Sequence, residues 1–260
     1  LFGIGAANAG APKALAQEGT ATEVAVDAVA GEPPNITPTI SEYIANIKTA
    51  DVEPEFLELT KRHILDSIAS AVACKDLEPA MLGRKYALMK SEGAANGATM
   101  LGTKERVGLV DAAFGSAMIV HGSEINDFIP SAFVQPGPAV VGTAFAVAEN
   151  RGLSGHDVLR SCVAGYELCG RMPKALGVRN LYSMGINGIE AALLVETGLT
   201  GVADCFDNEG AYMHHKMFAG GDHNPAYLIE DLATRSELPH TAYKRYPVGG
   251  PTQPAVQAIL

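Results

Sequence analysis

The most chemically loaded stretch of the chain is His121-Gly122-Ser123-Glu124-Ile125-Asn126-Asp127-Phe128, which runs on to Gln135-Pro136-Gly137-Pro138. It sets polar and acidic groups between two hydrophobic segments. A buried helix end needs polar partners, so one acidic residue there could simply be a cap. Three polar groups at the mouth of two central helices are more than capping requires. Asp127 is followed by Phe128, Ile129 and Phe133. Apolar shelter of that kind pushes a carboxyl toward its neutral form, which suits proton transfer. His121 opens the stretch and reads equally as helix-end packing or as pocket lining.

Other candidates carry less. His214-His215 with Asp222-His223 has the composition of a metal cluster. Adjacent histidines on a loop point apart, however, and no HxxxH spacing supports ligation, so the reading is no metal and no cofactor. Ala219-Gly220-Gly221-Asp222 follows no strand and is a turn rather than a phosphate cradle. His63, on an apolar helix face, reads as a satisfied core histidine. The cysteines Cys74, Cys162, Cys169 and Cys205 lack CxxC spacing. Cys162 and Cys169 fall two turns apart on one helix face, about 10 Å of rise, too far for a disulfide. Buried free thiols are expected.

The elements that must position these groups are helices. Ile40, Tyr43, Ile44 and Ile47 recur at helical spacing. A second helix follows Glu53-Pro54, with Phe56, Leu59, His63, Ile64, Ile68 and Val72 on one stripe and proline in the first turn. Gly83 to Lys90 forms a short helix, and residues 98–103 an extended piece. Val107 to Gly122 is apolar almost all round and belongs at the centre. Helices follow over Ala139 to Glu149, from Ser154 with Asp157 as a near capping box, over Ile186 to Thr197, over Pro225 to Thr234, and from Pro254. Strand alternation is almost absent, so the fold class is all-α, a multi-helix bundle. Residues 1–38 read as a signal-peptide remnant and linker, with Ala14-Leu15-Ala16 as a small-x-small cleavage pattern. This predicts a periplasmic or exported protein, with a cytoplasmic location as the alternative.

The net charge of −10 argues against nucleic acid, and no stretch is long and apolar enough to span a membrane. An anionic ligand therefore needs a local cationic pocket.

Several segments resemble the MmgE/PrpD family. The acidic loop with Gln135-Pro136-Gly137-Pro138 is similar to its His-x-x-Asp-Phe-Asp-Asp loop and following His-Pro-x-Gly element. Ile64-Leu65-Asp66-Ser67-Ile68-Ala69, Leu153 to Leu159, Val163-Ala164-Gly165-Tyr166-Glu167, Asn187 to Leu194, and Lys244-Arg245-Tyr246-Pro247 with Thr252-Gln253-Pro254-Ala255 resemble further family segments in the same order. The resemblance covers Ile40 to Leu260. It implies the family's helical domain at 39–260, incomplete, with its C-terminal α/β lid absent from this chain and a segment lacking between Arg171 and Ser183. It places Asp127 on a conserved acidic position and Lys244 on the catalytic lysine. The family's 2-methylcitrate dehydratases, cis-aconitate decarboxylases and iminodisuccinate epimerases handle a proton on carbon flanked by carboxylates, without a metal.

The implied activity is a lyase of dehydratase type acting on a small di- or tricarboxylate. An epimerase, or a weakened carboxylate-binding relative, is the alternative. Asp127 would be acid or base, His121 its helper, and Lys244 the anchor of the carboxylate or enediolate. Gln135, Arg245, Ser123 and Gln253 would bind substrate. Gln135 and Gln253 stand where the family carries histidines, and glutamine hydrogen-bonds like histidine but exchanges no proton. Apolar helical surface in such an incomplete domain predicts a homodimer.

Overall fold

The computed structural model describes residues 35–92, 96–176, 191–200, 205–207 and 224–260. The expectations for the leader, for the stretch that runs up to Ser183 and for the His214-His215/Asp222-His223 group fall outside these residues. The described part is mostly helical. Helix α1 spans Ile36–Asn46, α2 Pro54–Cys74, α3 Glu78–Lys90, α4 Leu109–His121, α5 Pro136–Arg151, α6 Gly155–Leu176 and α7 Gln253–Ile259. Two three-residue strands, β1 (Gly97–Thr99) and β2 (Arg106–Gly108), pair antiparallel and form the sheet of the described residues.

Small residues let α4 occupy the centre, where it packs against α2, α3 and α5. A Cβ on Gly83 would lie 2.4 Å from Met118 Cβ, and one on Gly142 would lie 2.6 Å from Ser116 Cβ. Any larger residue there forces the helices apart. The central helix starts at Leu109, later than the Val107 its hydrophobicity suggests, because Val107 pairs with Ala98 in the ribbon instead of joining the helix.

Helix α2 corrects its apolar stripe. Its buried face is Thr60, His63, Ser67, Ser70, Ala71 and Cys74, while Val72 is 56% exposed. Phe56, Leu59 and Ile64 are partly buried at the flank of a core built by α5 and α6. The inner face is polar because it surrounds a polar cluster.

Helix α6 opens with the expected box, closed by Asp157: Ser154 N and Oγ donate to Asp157 Oδ2 at 3.0 and 2.7 Å, and Asp157 N donates back to Ser154 Oγ at 3.3 Å. Further along, α6 anchors the C-terminal segment. Arg171, fully buried, donates to the carbonyls of Tyr227, Glu230 and Arg235 at 3.2, 2.7 and 2.8 Å and to Glu167 at 3.1 Å. Glu167 in turn accepts from Ser236 Oγ at 2.5 Å and Glu237 N at 2.8 Å. The segment from Pro225 is a 3-10 turn over Pro225–Leu228, not a helix to Thr234. Left-handed φ values at Asp231 (49°) and Ala233 (70°) end helical continuation. Cys74, Cys162 and Cys169 are buried free thiols, and Cys205 is part-buried and free. No helix among the described residues is long and apolar enough to cross a membrane.

Candidate functional site

The loop between α4 and α5 meets the C-terminal segment through a two-bond bridge. Phe128 N donates to Ala242 O at 2.9 Å and Ala242 N to Phe128 O at 2.7 Å. Two residues beyond the bridge, Lys244 turns inward, its side chain 2% exposed. Its Nζ donates to the Glu124 carbonyl at 2.6 Å and to Glu124 Oε2 at 3.2 Å. Glu124 can offer both oxygens to one ammonium because its backbone is left-handed, φ 61°. A non-glycine residue in that conformation stores strain of order 1 kcal/mol or more, the sort of outlier that collects at working sites.

Glu124 is the hub. His121 Nε2 lies 2.8 Å from its Oε1, and Gln135 Nε2 donates to Oε2 at 3.0 Å. Asn126 Nδ2 donates to Gln135 Oε1 at 2.8 Å and to the Asp127 carbonyl at 3.2 Å, and Asn126 Oδ1 faces His121 Nδ1 at 3.2 Å. Partial burial raises the Glu124 carboxyl. The Gln135 amide and the charges of His121 and Lys244 outweigh that and hold it below the usual carboxylate range.

Asp127 occupies the inner end of the same loop and is fully buried. Its Oδ1 accepts from Gly137 N at 2.9 Å, in the first turn of α5, and its Oδ2 from Tyr166 Oη at 2.5 Å. Gln135, at the N-cap position of α5, provides no cap, so Asp127 caps the helix from eight residues upstream. Burial and Asp127 together push the Tyr166 hydroxyl well above its ordinary value. His63 Nδ1 is 3.3 Å from Asp127 Oδ2, yet neither ring nitrogen has an aligned partner among the described residues. His63 is held instead by its faces, stacked on Tyr243 at 4.7 Å and tilted against Tyr166 at 5.2 Å. The expectation of a hydrogen-bonded core histidine is thereby corrected. The sequence offered no sign of this, because both ring partners lie on distant elements.

Asp66, one helical turn after His63, was quoted above only within a family-like segment. Burial first, and then the Asp127 charge, raise its carboxyl to about 6, against the lowering pull of His63, the Asp127 N–H and Lys244. Asn126, Glu124, Asp66, Tyr166 and Tyr243 are the residues that sequence reasoning did not single out. Glu124 and Asn126 stood in the acidic stretch, and Asp66 and Tyr166 in family-like segments, but none was given a role, and Tyr243 carried no signal.

The other expected residues divide. Ser123 touches Cys74, Oγ to Sγ at 2.8 Å. Gln253 serves the fold: its Oε1 accepts from Arg245 N and Tyr246 N at 3.1 and 3.0 Å, and its Nε2 donates to the carbonyls of Tyr246 and Val248. Arg245 is exposed and bonds Gln257 at 2.9 Å. Arg245 and Lys244 line an open groove of about 580 Å³ together with Phe128, Phe133, Tyr243 and Tyr246. Two other depressions carry less chemistry. One, lined by Tyr43, Phe56 and Arg235, includes the carboxylate of Glu167, whose oxygens are already engaged. The other, between α5 and α6, is walled by Val140, Val147, Leu168 and Leu193 and is largely apolar. Among the described residues no group of histidine, cysteine and carboxylate side chains is arranged to hold a metal.

The described residues thus form a mostly helical domain that buries a lysine against a carboxylate, itself bonded to an imidazole and an amide. Residues 38–185 match the model of the MmgE/PrpD N-terminal domain. The chain belongs to the MmgE/PrpD family. It is similar to two cis-aconitate decarboxylase sequences from Aspergillus terreus, one of them from strain NIH 2624 / FGSC A1156. Each is 26% identical over 156 residues, which are 58% of this chain and 31% of the relative. The match therefore spans about a third of the curated relatives' length.

Proposed function

We propose that the chain carries the proton-handling site of a lyase that acts on a small di- or tricarboxylic acid at the carbon next to a carboxylate. The observation that carries this is Lys244, buried and held by the backbone carbonyl and the Oε2 of Glu124, with His121 and Gln135 on the side-chain carboxylate. A substrate carboxylate exchanges places with Glu124 in front of the ammonium. Lys244 then stabilises the negative charge that develops as an enediolate. Glu124 is the group placed to take or return the proton, while Asp127, enclosed and bonded to α5 and Tyr166, holds the loop in position. Family membership and the decarboxylase relatives support the lyase class; a dehydratase-type elimination is the form we favour. The reading needs no cofactor.

Gln135 favours a second reading, a carboxylate binder of weakened activity, because an amide moves no proton. One experiment separates the two. The purified protein is incubated in deuterated water with cis-aconitate, the acid named by its relatives, and with 2-methylcitrate and related acids, and followed by proton NMR. Deuterium at carbon or product formation supports the enzyme. Saturable binding without exchange favours the binder, and neither binding nor exchange with any acid overturns both.

A further inference from the structure

The hydrogens around Glu124 can be placed one after another, starting from a single charge. A carboxylate only accepts. Gln135 must therefore turn its NH₂ toward Glu124 Oε2, as the 3.0 Å contact has it. That leaves Gln135 Oε1 facing Asn126 and needing a donor. Asn126 meets the need with its amide nitrogen, and the Asp127 carbonyl, 3.2 Å from that nitrogen, demands the same orientation. A flipped Asn126 would set oxygen against oxygen on two sides. Asn126 Oδ1 then points at His121 Nδ1, 3.2 Å away, and can only accept, so Nδ1 carries a hydrogen. The ring closes at His121 Nε2, 2.8 Å from Glu124 Oε1. A lone pair facing a carboxylate at that distance repels; a proton between them attracts.

We infer that Asn126 is a positioning residue that locks His121 with hydrogen on Nδ1, so that His121 Nε2 and Glu124 Oε1 hold one proton between them in the resting site. This deepens the lyase reading and rests on it for its use in catalysis. When the substrate C–H bond breaks, its electron pair stays on the substrate as the enediolate and its proton goes to Glu124. The pair then passes from one proton to two. The reverse step returns it to one. Gln135 transmits orientation around the ring and no proton, which gives the amide a purpose in a position where a titrating side chain would compete for the pair's proton.

The test is ¹⁵N NMR of the full chain labelled at histidine, with His121 assigned from the signal lost in His121→Gln. The expected wild-type pattern is a protonated Nδ1, with Nε2 showing a shared or bound proton. A neutral ring with hydrogen on Nε2 alone overturns the inference, and this reading needs no variant to fold. Asn126→Leu removes the acceptor and should move more than half of the population to the Nε2–H form. Retention of Nδ1–H in Asn126→Leu overturns the role of Asn126. In turnover, Asn126→Leu should lower kcat at least about tenfold with KM little changed, as loss of tautomer control does in other acid–base sites. No substrate enters the NMR measurement. The expected ring protons without turnover of any acid defeat the lyase reading alone; the wrong tautomer in an active protein defeats this inference alone.

Discussion

Glu124 and Asp127 stand three residues apart on one loop and take opposite duties, because the backbone turns left-handed at Glu124. That turn sends the Glu124 carboxylate to Lys244 and leaves Asp127 to the interior. Removing the ammonium by Lys244→Met should therefore cost turnover far more than folding: kcat/KM falls by about 10²–10³, the usual effect of deleting one oxyanion-type donor, while the thermal midpoint moves little. A midpoint collapse with proportionate loss of activity would make Lys244 a structural residue. Asp66 supports a prediction of the opposite kind. Its carboxyl is raised to about 6, above an unfolded value of about 3.9. Between those values the folded state binds more protons than the unfolded one, so stability falls as pH rises through the window. A two-unit shift corresponds to at most about 2.7 kcal/mol, and solvent screening at this partly exposed side chain reduces that to about 1 kcal/mol. Asp66→Asn should accordingly raise the unfolding midpoint at pH 8 and leave it nearly unchanged at pH 4. Equal shifts at both pH values would show that ionisation is irrelevant to the effect.

At the scale of elements, α6 both touches the site, through the Tyr166 bond to Asp127, and sets its position from further along. The Arg171 guanidinium gathers three carbonyls of the 227–235 stretch, and Glu167 anchors Ser236 and Glu237, so the chain arrives at the Ala242 bridge in register. Arg171→Met leaves Glu167 buried without its cation, and should lower unfolding free energy in urea by about 3–5 kcal/mol. A loss under about 1 kcal/mol would show that the segment is held by other means. Much of this architecture was legible. Period and punctuation placed α1 to α6, and Ser154 with Asp157 marked the start of α6, because those signals are local. The α2 face was misread for a physical reason. A helix beside a polar cluster buries Thr60, His63 and Ser67 and leaves Val72 outside, the reverse of what hydrophobic spacing alone implies. The extension of helix from Pro225 to Thr234 failed likewise, since nothing in Asp231 or Ala233 announces a left-handed backbone. The site was half legible: His121, Asp127, Gln135 and Lys244 were named, but loop direction, and hence the part of Glu124 and Asn126, is a property of the folded backbone.

For the molecule as a whole, two features of the surface bear on how a substrate or partner would approach. Helix α2 exposes Leu65 and Val72, and α3 exposes Leu82, Tyr86 and Met89, with Leu65 and Met89 64% and 65% exposed. Apolar side chains left exposed in this way favour a second copy, and sedimentation should show a dimer that Met89→Glu weakens; a monomer at all concentrations would remove the expectation. The second feature is charge. The chain carries a net −10, so the proposed di- or tricarboxylate substrate would approach against repulsion until it came within reach of Lys244, His121 and Arg245. Over tens of ångströms the net charge dominates at low salt, when the screening length is about 30 Å; at physiological salt it shrinks to about 8 Å, and only the cations around the site are felt. Raising ionic strength from about 10 to 150 mM should thus increase kcat/KM, by about twofold or more, mainly through KM. An enzyme that steers its anion with a cationic surface shows the opposite slope. A fall in kcat/KM over that range would place the governing field at the groove beside Lys244 and Arg245 and not in the acidic balance of the chain.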